Sequence, residues 1–161
     1  GVMFLDPYGM HVDWTTLETI RATEAIDVWY LVSLAGLYRQ AAVDPRKVTP
    51  SKRNALTRML GTPDWEADWY GTSQNHDLFG ELDFEGSRVP DVAAIEAYVH
   101  KRLETLFPKV LPPLRLKNKG GAPSFSLFFA ISNPDPVAMG LATRIAGHIL
   151  RSGISSQRRS R

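Results

Sequence analysis

The sequence predicts an α/β domain, and three observations carry that prediction. Val2-Met3-Phe4-Leu5 is a short apolar run closed by Asp6-Pro7, and residues 26–34 form a second run, β-branched and aromatic. Short apolar runs bounded by turn signals suit strands buried on both faces, as in parallel sheets. Late in the chain, residues 110–116 and 124–132 flank the turn Lys117-Asn118-Lys119-Gly120-Gly121 and read as an antiparallel hairpin. Segments of helical periodicity lie between these strands.

Taken in order, residues 2–8 read as a buried strand that delivers an Asp6-Pro7-Tyr8 turn to the functional edge of the sheet. Pro7 and Gly9 stop the strand. Asp13 stands where a cap belongs for a helix from Trp14 to about Ala22, with Trp14, Leu17 and Ile20 inward. The apolar run at 26–34 then completes a βαβ unit, which implies parallel pairing and a right-handed crossover. Thr49-Pro50 opens a helix to about Leu60, with Leu56, Met59 and Leu60 inward and Gly61 as its stop. Thr62-Pro63 repeats the start signal for a short helix bearing Trp65 and Trp69. Residues 71–88 are polar with Phe79 and Phe84 and read as a long ordered loop. Together, residues of about 45–88 read as a helical insertion.

The last part is regular again. Val92, Ile95, Val99, Leu103 and Leu106 mark a helix over residues 90–107, and Pro112-Pro113 interrupts the first hairpin strand. Asn133-Pro134-Asp135-Pro136 opens a final helix with Val137, Leu141, Ile145 and Ile149 on one apolar face. Residues 1–151 form one domain, and 152–161 read as a basic flexible tail.

Composition narrows the function classes. The chain has 161 residues with 43% apolar content, enough for one domain with a core. It has no cysteine, which excludes disulfides, thiolate metal sites and cysteine nucleophiles, and which fits a cytoplasmic protein. No apolar run is long enough to span a bilayer, so no membrane association is expected. Net charge is +2, with much of the excess at Arg151, Arg158, Arg159 and Arg161. A solubilising end explains those arginines better than nucleic-acid contact, which is the minor alternative.

Specific residues go further. Phe4-Leu5-Asp6-Pro7-Tyr8-Gly9, then Trp14 and a helix, then Ile26-Asp27-Val28-Trp29-Tyr30-Leu31, resembles the three-Cys-motif partner family. Leu127-Phe128-Phe129-Ala130-Ile131-Ser132-Asn133-Pro134, followed by an Ala-rich helix, is similar to that family's closing hairpin. The resemblance runs from the first residues to about Leu150. It implies a Rossmann-like, S-adenosylmethionine-dependent methyltransferase fold. Its sheet here is partial: two parallel strands plus a C-terminal antiparallel hairpin, with helices on both faces. It also implies a three-cysteine-motif protein as partner. In such folds the first strand and its Gly-rich turn hold the methionine part of the cofactor, and an acidic residue after the second strand holds the ribose. This sequence contains neither and begins at what would be the fourth strand. The expectation is a fragment of a methyltransferase, inactive alone, that does not bind S-adenosylmethionine by itself. The alternative is a non-catalytic protein-interaction module.

The candidate site is the Asp6-Pro7-Tyr8 turn. In amino-methyltransferases an Asp or Asn at a strand end accepts a hydrogen bond from the target amine. Proline fixes the loop, and an aromatic stacks on a flat base. The competing reading is a plain strand-ending turn with Tyr8 as rim packing. His11 and Asp13 could form an acid/base pair, although a cap and a solvated imidazole explain them more simply. Trp65, Trp69 and Tyr70 offer a stacking platform for a base or peptide, against core packing as the cheaper explanation. Lys47, Lys52, Arg53 and Arg58 cluster near Thr49, as a phosphate contact or a solvated helix face. Four dispersed histidines lack ligand spacing, so no metal is expected. Without its missing neighbour, the Val2–Leu5 strand should form an open edge. That edge should pair in a homodimer or with a second polypeptide.

Overall fold

A computed structural model of the chain describes residues 1–7, 10–70, 91–117 and 123–159. Its four strands are β1 (Val2–Leu5), β2 (Asp27–Ser33), β3 (Lys109–Lys117) and β4 (Pro123–Ile131). They form one sheet in the order β1-β2-β4-β3. β1 and β2 are parallel, while β4 runs antiparallel to both β2 and β3. The βαβ unit and the late hairpin are therefore both present, and the hairpin's second strand lies inside its first.

Among the described residues the helices are α1 (Trp14–Ala22), α2 (Leu34–Gln40), α3 (Pro50–Leu60), α4 (Trp65–Tyr70), α5 (Val92–Glu104) and α6 (Pro136–Arg159), with a 3-10 turn at Pro45–Lys47. Trp14, Leu17 and Ile20 of α1 are buried, as their spacing requires. Leu56, Met59 and Leu60 of α3 are buried as well. The Thr49 hydroxyl accepts from the Lys52 N–H, and Gly61 closes α3 at φ +70 in the left-handed region. The long loop expected over 71–88, including His76, Phe79 and Phe84, lies outside the described residues.

Alternation along the strands sorts side chains onto two faces. Val28, Tyr30, Val32, Phe128 and Ala130 join one large cluster with residues of α1 to α5. On the opposite face Leu111, Leu114, Phe129 and Ile131 pack with Met139, Ala142, Ala146 and Leu150 of α6. Helices thus lie on both faces, but unequally. Among the described residues only α6 covers the second face, and it packs on β3 and β4.

Several expectations are corrected. β1 is not buried on both faces: Val2 and Phe4 are 64% and 58% exposed, because β1 is a sheet edge and the second face is bare beside it. α2 begins directly at the end of β2, with the Ser33 hydroxyl accepting from the Gly36 N–H at 3.1 Å. Asp13 makes no side-chain cap; its carboxylate pairs with Arg58 Nε at 2.8 Å and ties α1 to α3. The row Val137, Leu141, Ile145 and Ile149 is not the packed face of α6. A smaller face, with Ala142 and Ala146, lets the helix backbone approach the bulky side chains of β3 and β4. His148 is exposed beside Ile145. Nor does a flexible tail begin at Ser152: α6 continues to Arg159, since no proline interrupts it and arginines suit a helix C-terminus.

The basic cluster near Thr49 is largely spoken for. Arg53 donates twice to the Glu66 carboxylate, both at 2.7 Å, and Arg58 holds Asp13. The Arg53 guanidinium holds the Glu66 carboxyl below its ordinary range. A carboxyl depressed on folding contributes stability above its unfolded pKa, and that contribution is lost as pH falls through the folded value. Glu66→Gln should therefore flatten the acid limb of a urea-midpoint against pH curve, by a modest amount because the pair is partly solvated.

Candidate functional site at the carboxyl end of the parallel strands

Because β1 and β2 are parallel, their carboxyl ends open on the same rim. In open α/β sheets that rim is where ligands bind. β1 delivers Asp6 and Pro7 there; β2 delivers Ser33 and, at once, the first turn of α2. Asp6 is exposed and Pro7 half-buried. Among the described residues the Asp6 carboxylate has no hydrogen-bond or ion-pair partner, so it is free to accept one from a donor. Tyr8 lies outside the described residues. Met10 is buried, and its side chain reaches to 4.0 Å from where a Cβ on Gly36 would stand. Met10 thus packs beside the first turn of α2.

His11 is exposed beside this turn. It forms no acid/base pair with Asp13, whose carboxylate is taken by Arg58. Trp65, Trp69 and Tyr70 are buried, which agrees with core packing, the cheaper of their two readings, and leaves no exposed stacking platform. Trp65 Nε1 donates to Thr57 Oγ1 at 3.0 Å, and the Tyr70 hydroxyl donates to the Ala42 carbonyl at 2.7 Å. Burial pushes the Tyr70 phenol up to about 12, as for a core tyrosine. Edge-on contact of Trp65 with both Trp69 and Tyr70 completes an aromatic core under α3 and α5.

A polar cluster went unseen in the sequence. Glu96 of α5 is buried against the sheet, where its carboxylate accepts from Arg115 Nε at 2.5 Å and from the Ser126 hydroxyl. The signal was available: Glu96 interrupts the inward row Val92, Val99 and Leu103. Ser126 stands opposite Val32 and Arg115 opposite Ser126, so the cluster lies beside the carboxyl end of β2. At the other end of β2, Ser132 N–H donates to Asp27 Oδ1 at 3.0 Å and Ser132 Oγ to the Ile26 carbonyl at 2.5 Å, closing the amino end of the strand.

Among the described residues no Gly-x-Gly element follows a strand: Gly36 stands alone in the first turn of α2, after β2, and Gly61 ends α3. β2 is followed by Leu34-Ala35 rather than by an acidic residue. Among the described residues no three His, Asp or Glu side chains converge as metal ligands, and no helix is long and apolar enough to cross a membrane. Comparison with family models, with curated proteins and with solved structures gave no match.

Proposed function

We propose that the chain is the substrate-side part of an S-adenosylmethionine-dependent, methyltransferase-like domain resembling the three-Cys-motif partner family. The observation that carries this reading is the asymmetry of the sheet. The β3 edge is blunted: Pro112-Pro113 shift its register, and Lys109 and Arg115 charge it. The β1 edge, Val-Met-Phe-Leu, has no charge, proline or bulge. Asp27 N–H donates to the Gly1 carbonyl at 2.9 Å, so by parallel-ladder alternation the Val2 and Phe4 backbone groups point outward, unpaired. Such an edge is built to receive another strand.

Handedness then limits what that strand belongs to. The β1-α1-β2 crossover puts α1 on the fully covered face. Right-handed crossovers on the bare face must wind the other way, away from β1. A parallel strand added at β1, with its helix filling the bare half-face, therefore makes β1 the point where winding reverses. That reversal is the switch point at which doubly wound sheets bind cofactors and substrates, and Asp6 stands on its rim. The closing antiparallel hairpin agrees with the same reading. Within such a cleft Asp6 accepts a hydrogen bond from the target amine, Pro7 fixes the turn, and Tyr8 stacks on a flat substrate. The described residues do not fit the cofactor itself, which would have to be held by the other half of the sheet. By the resemblance, a three-cysteine-motif protein is the partner. Titration calorimetry of S-adenosylmethionine against this chain should show no binding. A micromolar dissociation constant would overturn the division of labour proposed here.

The same uncharged edge favours one second reading, an interaction module that pairs through β1. In a twofold antiparallel pair Val2 would stand opposite Phe4 of a second copy, exchanging four backbone hydrogen bonds. Phe4→Pro removes only an outward N–H, so it should abolish such a dimer in sedimentation while leaving the fold intact. A stable monomer at micromolar concentration would eliminate this reading.

A further inference from the structure

We propose that the outer face of α6 docks an amphipathic helix with an acidic flank, supplied by a partner protein. Val137, Leu141, Ile145 and Ile149 recur at every fourth residue and are 81, 52, 56 and 49% exposed. They make one row along about 18 Å of helix, the kind of ridge that seats in the groove of another helix. Single exposed aliphatic side chains are ordinary, but four aligned on one helix are not scattered. The opposite face of α6 is already used, through Met139, Ala142, Ala146 and Leu150.

Charge selects the occupant. Arg144 and His148 follow Leu141 and Ile145 by three residues, so they are neighbours on the helix surface. Both are exposed, as is Arg151. Residues 136–159 contain Arg144, Arg151, Arg158 and Arg159 but no Asp or Glu. A second copy of α6 would set these cations against one another, which penalises self-pairing. A lipid surface calls for a broad apolar face with aromatic residues. This row is one residue wide and aliphatic, and the rest of the apolar circumference is packed on the sheet. A helix with leucines at three- and four-residue spacing and a Glu-bearing flank satisfies both the ridge and its cationic border. The row is read from the exposure of α6 itself; α6 packs on β3 and β4, on the same sheet face whose bare half beside β1 the methyltransferase reading fills.

Two synthetic helical peptides with the same leucine stripe, one flanked by Glu and one by Lys, provide the probes. Fluorescence anisotropy with the full chain should show saturable binding of the Glu peptide and at least about tenfold weaker binding of the Lys peptide. Leu141→Gln with Ile145→Gln should weaken the Glu peptide by about tenfold or more with an unchanged melting curve, since both positions are exposed. Arg144→Glu with His148→Glu should reverse the preference between the peptides. Equal binding of both peptides, a preference unmoved by that charge swap, tighter binding to anionic vesicles than to the Glu peptide, or a self-dimer dissolved by Leu141→Gln would each overturn the proposal.

Discussion

Gly61→Ala should cost about 3–5 kcal/mol, a large share of the stability of an ordinary domain. Two effects add. Gly61 ends α3 at φ +70, where a side chain is strained by about 1–2 kcal/mol. A Cβ there would also stand 2.2 Å from the Trp14 ring, so the ring must move. That ring lies under the Arg102 guanidinium, 4.8 Å from the ring centroid, and Arg102 Nε in turn donates to the Leu60 carbonyl at 3.0 Å. Displacing Trp14 therefore loosens α1, α3 and α5 together. Gly140→Ala is the control, because a Cβ there meets nothing within 4 Å on an exposed turn of α6. It should raise stability by about 0.5–1 kcal/mol. Urea denaturation of both variants gives the comparison, and a Gly61→Ala midpoint close to wild type would refute the packing described.

The second large effect is at Glu96. Arg115→Ala should destabilise by about 3 kcal/mol, because it leaves the Glu96 carboxylate buried with Ser126 as its remaining donor. Exposure makes the pair unequal: the Glu96 side chain is 7% exposed and that of Arg115 44%. Losing Glu96 leaves a guanidinium that water can reach, so Glu96→Gln should cost less, about 1–2 kcal/mol. Replacing both with Met, and Ser126 with Ala, should recover most of the loss, since the partners are removed together. A double-mutant cycle on chemical denaturation would expose the coupling; additive single effects would mean the three groups do not act as a unit.

How much of this was legible in the sequence follows from the signals each element carries. Asp-Pro after β1, Thr-Pro before α3 and Gly61 after it are steric punctuation, and those boundaries fall where expected. α2 was illegible because Leu34-Ala35 continues the apolar run of β2, and Ser33 is both the last strand residue and the cap. The packed face of α6 was missed because size misleads there: large aliphatic side chains mark one row, while alanines mark the face that approaches the sheet. Exposure of β1 could not be read from its own residues, since an apolar strand looks the same at a sheet centre and at an unfilled edge. Asp6 and Pro7, singled out by type and order, follow directly on the carboxyl end of β1. Trp65, Trp69 and Tyr70 were ambiguous because stacking and core packing use the same side chains.

The open β1 edge is the feature from which the functional reading follows, and amide hydrogen exchange by NMR on the dilute chain tests it most directly. β2 is flanked by β1 and β4, so amides across Asp27–Ser33 should exchange slowly. The outward Val2 and Phe4 amides should exchange at nearly the rate of an unstructured peptide, and added S-adenosylmethionine should not slow them. Protection of Val2 and Phe4 equal to that of β2 would mean that the edge is already filled, and the half-sheet reading would fall.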